Sequence, residues 1–177
     1  MSSVTKEWIA EKMKLLIRKK SLEKIRIREI CEAAGVDRST FYYHFRDKYD
    51  LVIWMYFREI NELNILVKKE SVRGLQKLKQ DAFIFRNALA AREQNSLYAY
   101  MKEYYIAYYL ELLKKRTGAD LLGPELTFYV RLFCYGAVDM MVEWILDPDA
   151  LTAEEYVEMV YRSMPAAMYR ICFPDEQ

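Results

Sequence analysis

Apolar residues recur at helical spacing along almost the whole chain, and no segment alternates apolar and polar residues over a strand's length. Ile9, Met13, Leu16 and Ile17 share one face and predict a first helix from about Val4 to Lys19. Ile27, Ile30, Cys31 and Ala34 then fall at i, i+3, i+4 and i+7, leaving Arg26, Arg28, Glu29 and Glu32 to water. Ala33-Ala34-Gly35 supplies small residues for a close crossing and a glycine able to take positive φ, with Val36 as a buried plug. Asp37 is placed to cap a further helix that starts at about Arg38 and buries Phe41 and Phe45. Two short helices around a glycine turn read as a helix-turn-helix. Its outward faces carry the i, i+4 pairs Arg38/Tyr42 and Ser39/Tyr43, a surface suited to recognition.

The pattern continues with a fourth helix capped by Asp47, with Asp50 in its first turn, running to about Lys69. A break is expected at Arg73-Gly74, followed by helices over 75–92 and a long helix from about Ser96 to Lys115 that ends at Thr117-Gly118. Pro124 suits the first turn of a strongly apolar helix reaching Leu146, where Asp147-Pro148 stops it. Thr152-Ala-Glu-Glu155 matches a capping box and opens a last helix from Ala153 to about Ile171, kinked by Pro165. The expectation is an all-α chain of about nine helices. Residues 1–48 would form a three-helix, helix-turn-helix DNA-binding domain, and residues 49–177 a second, larger helical domain.

Charge sharpens that division although the chain's net charge is only +1. Residues 1–50 hold 12 Lys or Arg against 8 Asp or Glu, while the remainder holds 15 against 18, so the basic excess lies at the helix-turn-helix end. Within it Lys12, Lys14, Arg18, Lys19, Lys20, Lys24, Arg26 and Arg28 form a basic band. Cys31, Cys134 and Cys172 are far apart in apolar surroundings and read as reduced core thiols. The amino-terminal stretch has no signal-like apolar run and no segment approaches a membrane span, so a cytoplasmic protein with no membrane partner is expected. One histidine, no paired-carboxylate or Cys/His constellation, no phosphate loop and no metal-ligand spacing argue against an enzyme, a cofactor or a metal site.

The segment AAGVDRSTFYYHFRDKYDL resembles the AAGVSxGTxYxHFxSKxxL signature of the tetracycline-repressor (TetR) family of bacterial regulators. A more divergent similarity, through GLQKLKQDAFIFRNAL and YGAVDMMVEWI, resembles the C-terminal domain of a TetR subgroup that includes regulators of dihydroxyacetone kinase operons. The resemblance implies a homodimer on a double-stranded DNA operator, with two recognition helices in successive major grooves, and it makes residues 49–177 a C-terminal effector-binding and dimerisation domain. Arg38, Ser39 and Thr40 match the start of the recognition helix, Arg38 being the candidate for a bidentate guanine contact. Tyr42, His44 and Lys48 match residues that hold DNA phosphates in the family, and Tyr43 and Arg28 are assigned to DNA with them. Two residues depart from the pattern. Arg26 stands where the family has a capping Thr and has no oxygen to accept an N–H. Asp37 stands where the family has Ser, which keeps a cap but adds a negative charge beside the expected phosphates.

In the C-terminal part, six of the chain's 15 tyrosines, Tyr98, Tyr100, Tyr104, Tyr105, Tyr108 and Tyr109, fall on one helix. They point all around it, so packing must hold most of them; the density reads either as core packing with hydroxyls at the rim or as an inducer pocket lined by some of them. Phe83, Arg86, Tyr105, Tyr108, Arg131 and Tyr135 are the candidate effector-pocket residues, Arg131 serving either an anionic effector or an ion pair. Met140, Met141, Trp144, Tyr156, Met159, Val160 and Met164 fit either a dimer interface or an intrachain core. The function expected is a TetR-type regulator, a repressor binding a palindromic operator as a homodimer under control of a small-molecule effector. The alternative is a coactivator of a metabolic operon controlled by a partner protein.

Overall fold

A computed structural model describes residues 2–61, 64–90, 96–147, 149 and 151–174. Among them are ten α-helices, one 3-10 turn and no strand. Helix α1 (Ser2–Ile17) leads through a 3-10 turn (Leu22–Lys24) to α2 (Ile27–Ala34), α3 (Arg38–His44) and α4 (Lys48–Asn61). Then follow α5 (Lys68–Gln80), α6 (Ala82–Ala90), α7 (Leu97–Thr117), α8 (Pro124–Leu146), α9 (Ala153–Arg162) and α10 (Ala166–Cys172).

The first three helices close over Ile9, Met13, Leu22, Ile25, Ile30 and Phe41, all buried. Gly35 takes φ 64°, ends α2 in the left-handed region, and lets the Val36 N–H donate to the Cys31 carbonyl at 3.0 Å. The indole N–H of Trp8 donates to the Ala34 carbonyl at 2.9 Å, which pins α1 to this turn. Helix α4 contributes Leu51, Val52 and Met55 to the same apolar interior, and its Tyr56 and Ile60 are buried as well; it packs against α1, α6 and α7. In the C-terminal part α7 lies against α8, α10, α6 and α4, and α5 lies against α9. Neighbours on several sides are why tyrosines all around α7 are half-buried or buried.

Three expected boundaries move. The fourth helix, described over Lys48–Asn61, does not reach Lys69, because Asn64 folds the chain back: its side-chain oxygen accepts the Leu66 N–H at 3.1 Å and its own N–H donates to Glu70 at 2.6 Å. Gly74 breaks nothing; it sits buried inside α5. Pro165 ends the expected last helix outright and stands at the N-cap of α10, since it has no N–H to continue the ladder. Ala91, Arg92 and Pro148, where a helix end and a stop are expected, lie outside the described residues. Pro124 at N1 of α8 and the Thr152–Glu155 capping box stand as the sequence pattern predicts. No helix of the described residues is long and apolar enough to cross a membrane.

A Cβ on Gly35 would meet nothing within 4 Å, so the cost of Gly35→Ala is conformational alone. Urea denaturation should show a loss of about 1–2 kcal/mol, with Gly35→Asn losing less.

Candidate nucleic-acid interface and effector cavity

Helix α3 owes its outward reading face to its cap. Asp37 Oδ1 accepts the Thr40 N–H at 2.6 Å and the Ser39 hydroxyl at 2.7 Å, and these bonds hold its carboxyl below the usual range. Ser39 therefore spends its proton on Asp37 and offers only lone pairs outward, while Thr40 is half-buried. Phe41 points inward, fully buried, which leaves Arg38, Tyr42 and Tyr43 exposed. The Arg38 guanidinium donates to the Tyr42 hydroxyl at 3.5 Å and lies 5.9 Å from the centre of its ring, so the two are held together one turn apart.

Beside this face runs a groove lined by Ile25 to Arg28, by Arg38 and Tyr42 of α3, and by Asp47, Lys48 and Tyr49 at the start of α4. Arg26, Arg28, Arg38 and Lys48 set four cations against the single carboxylate of Asp47, which suits a phosphate track. Lys48 is half-buried and donates to the carbonyls of Leu22, Glu23 and Ile25 at 2.9, 2.8 and 3.0 Å; burial lowers its pKa. All three ammonium hydrogens are thus committed to the protein, and Lys48 supplies charge and shape to the groove instead of a free donor. Arg28 is exposed and paired with Glu32 at 2.6 Å. His44 is half-buried against the Tyr43 ring; burial, then the nearby Lys6, lowers its pKa and favours the neutral ring.

The start of α2 solves the problem that Arg26 poses. Glu29 accepts the Arg26 N–H at 2.8 Å and is held by the Lys20 ammonium, two contacts that lower its pKa. Sequence reasoning missed this reversal, in which N3 caps the turn that the N-cap residue leaves open. It also missed Trp8 and Arg46. Arg46, just before α4, donates to the Tyr100 hydroxyl of α7 at 3.0 Å and, through its N–H, to Asp50 at 3.0 Å. A second link crosses from α4 to α7 where the hydroxyls of Tyr56 and Tyr105 lie 3.2 Å apart.

Tyr105 also lines a cavity of about 100 Å³ between α4, α5, α7, α8 and α9. The other five expected effector residues lie elsewhere. Phe83 is exposed over the Arg18 guanidinium at 5.5 Å, and Arg86 is exposed. Tyr108 borders a surface groove on α7, and Arg131 and Tyr135 face outward on α8, the latter 5.1 Å from the Lys102 ammonium. Arg131 thus offers the cavity no positive charge. Of the residues expected at an interface, Met141, Trp144, Tyr156 and Met164 are buried within the chain and Val160 lines the cavity, because α8 turns its Met141 and Trp144 side toward the core. Met140 and Met159 remain exposed. The outward stripe of α8 is instead Phe128, Leu132 and Tyr135, with Phe128 and Leu132 60% and 58% exposed.

A braced helix-turn-helix joined by α4 to a larger helical body defines a DNA-binding transcription regulator, not an enzyme. Two family patterns cover most of the chain: one described as bacterial regulatory proteins, tetR family, over residues 14–54, and one described as transcriptional regulator C-terminal region, over residues 71–165. The chain belongs to the TetR family, whose regulators bind DNA operators and usually act as dimers. Comparison with curated proteins gives no match. A solved structure titled dihydroxyacetone kinase operon activator DhaS shares the fold, with a TM-score of 0.62 at 17% identity over 93% of this chain and 96% of that one.

The Asp37 cap gives a signed pH dependence. Its folded pKa is depressed, so its stabilisation is complete above the ordinary carboxylate pKa and is lost as pH falls through the folded value. Thermal melts should show wild type more stable than Asp37→Asn at pH 7, with the gap closing below about pH 4.

Proposed function

We propose that the protein is a cytoplasmic repressor that binds a short palindromic operator as a homodimer and releases it when a small molecule occupies the C-terminal cavity. On this reading residues 1–48 are the reading head and residues 49–177 the control and pairing part. The observation that carries it is the single outward face of α3, where Arg38, Tyr42 and Tyr43 stand exposed beside a groove lined by four cations. Arg38 would read a guanine edge, Tyr42, Tyr43 and His44 would meet sugar and phosphate, and Arg28 would leave Glu32 for a phosphate. The Arg46–Tyr100 and Tyr56–Tyr105 contacts support a route by which packing around α7 changes the angle of the head. Pairing would use the exposed apolar stripe of α8, because a lone soluble chain seldom leaves such side chains together in water.

The likeness to an operon activator favours a second reading, in which the effector is a partner protein and the regulator activates. Copurification of a stoichiometric partner from the native cell, with no bound small molecule, would select that reading.

Fluorescence anisotropy with DNA from upstream of the protein's own gene tests the head. Tight, salt-sensitive binding is expected, and Arg38→Ala with Tyr42→Ala should weaken it by roughly 5- to 150-fold; an unchanged affinity would refute the assigned face. Sedimentation tests the pairing. Leu132→Asp with Phe128→Ser should convert a dimer to a folded monomer, and a dimer that survives both changes rules out this stripe.

A further inference from the structure

The C-terminal cavity carries more chemical information than its position. No Lys, Arg, His, Asp or Glu lines it. Most of its polar atoms are already spoken for. The Tyr161 hydroxyl donates to the Ile65 carbonyl at 2.6 Å, Ser71 donates to the same oxygen at 3.2 Å, Tyr156 donates to the Ala137 carbonyl at 3.4 Å, and Tyr105 pairs with Tyr56. Tyr109 is different. Its ring is buried edge-on against Phe133 at 5.8 Å, yet among the described residues its hydroxyl makes no hydrogen bond. Among the described residues no sealed side-chain oxygen or nitrogen lacks a partner, so the Tyr109 hydroxyl opens onto accessible space. Burial holds its pKa well above the ordinary value, which keeps the proton in place as a donor.

Size and polarity then limit the occupant. An apolar protein cavity of about 150 Å³ takes benzene, so 100 Å³ with the pliant Met141 in its wall suits a molecule of similar size. An anion or cation would be stripped of water with no opposite charge to receive it. A polyol would bury several hydroxyls against one free donor. We infer that the cavity binds a small neutral molecule of about six to seven heavy atoms, largely apolar, whose one hydrogen-bonding oxygen meets the Tyr109 hydroxyl. The use of this site as a switch rests on the effector-controlled reading above; the site itself does not.

Titration of the full-length protein with phenol, benzene, benzoate and glycerol, followed by protein NMR shifts, tests the inference, with operator anisotropy measured in parallel. Phenol should bind about fivefold more tightly than benzene, while benzoate and glycerol should produce no shifts at the same concentrations. Tyr109→Phe should remove phenol's advantage and leave benzene binding intact, and Ala137→Leu, which narrows the cavity, should weaken both. Equal phenol affinity in wild type and Tyr109→Phe, tighter binding of benzoate or glycerol, or no binding by any of the four would overturn the site. Phenol binding that leaves operator affinity unchanged upholds the site and refutes effector control.

Discussion

A tyrosine hydroxyl sealed from water has to be paired, and Tyr56, fully buried in the middle of α4, meets that requirement through Tyr105 on α7. The bond fixes the register of α4 against the body of the protein. The ends of α4 inherit that register: Asp47 caps its first turn with two N–H bonds at 2.8 Å, and Lys48 ties it to the carbonyls that precede α2. Hydrogen-bonded contacts thus tie α7 to the helix-turn-helix end, and the Arg46–Tyr100 bond adds a second point of attachment.

The helix-turn-helix end is held together by contacts that do not involve DNA. Trp8 holds α1 to the glycine turn, Glu29 closes the start of α2, and Asp37 closes the start of α3. Each uses a polar group that would otherwise leave a helix end unsatisfied. The outward face of α3 is then what remains: side chains that no internal requirement consumes. Ser39 and Lys48 show the converse, since their donors are used inside the protein and their part at the surface is correspondingly narrower.

The C-terminal part separates two apolar surfaces that composition alone cannot tell apart. One side of α8 supplies Phe133, Val138 and Met141 to the cavity, and the other leaves Phe128 and Leu132 in water. An uncharged, apolar cavity suits a small neutral occupant, and an open stripe suits a second chain. Both proposals depend on the rotation of a single helix about its axis.

Much of this was legible in the residues. Helical spacing, the Asp37 and Asp47 caps, Pro124 at a first turn and the Thr152–Glu155 box are local rules, decided by neighbours within a turn or two, and they hold in the structure. The exposure of Arg38, Tyr42 and Tyr43 followed from the same local pattern. Long-range packing decided the rest. Whether Met141 and Trp144 face inward, whether Gly74 breaks or packs, and which of six tyrosines meets a cavity depend on elements far apart in the chain. Periodicity tells which residues share a helix face, but the face a neighbour covers is set by burial summed over the whole fold, and that is known only when the helices are in place.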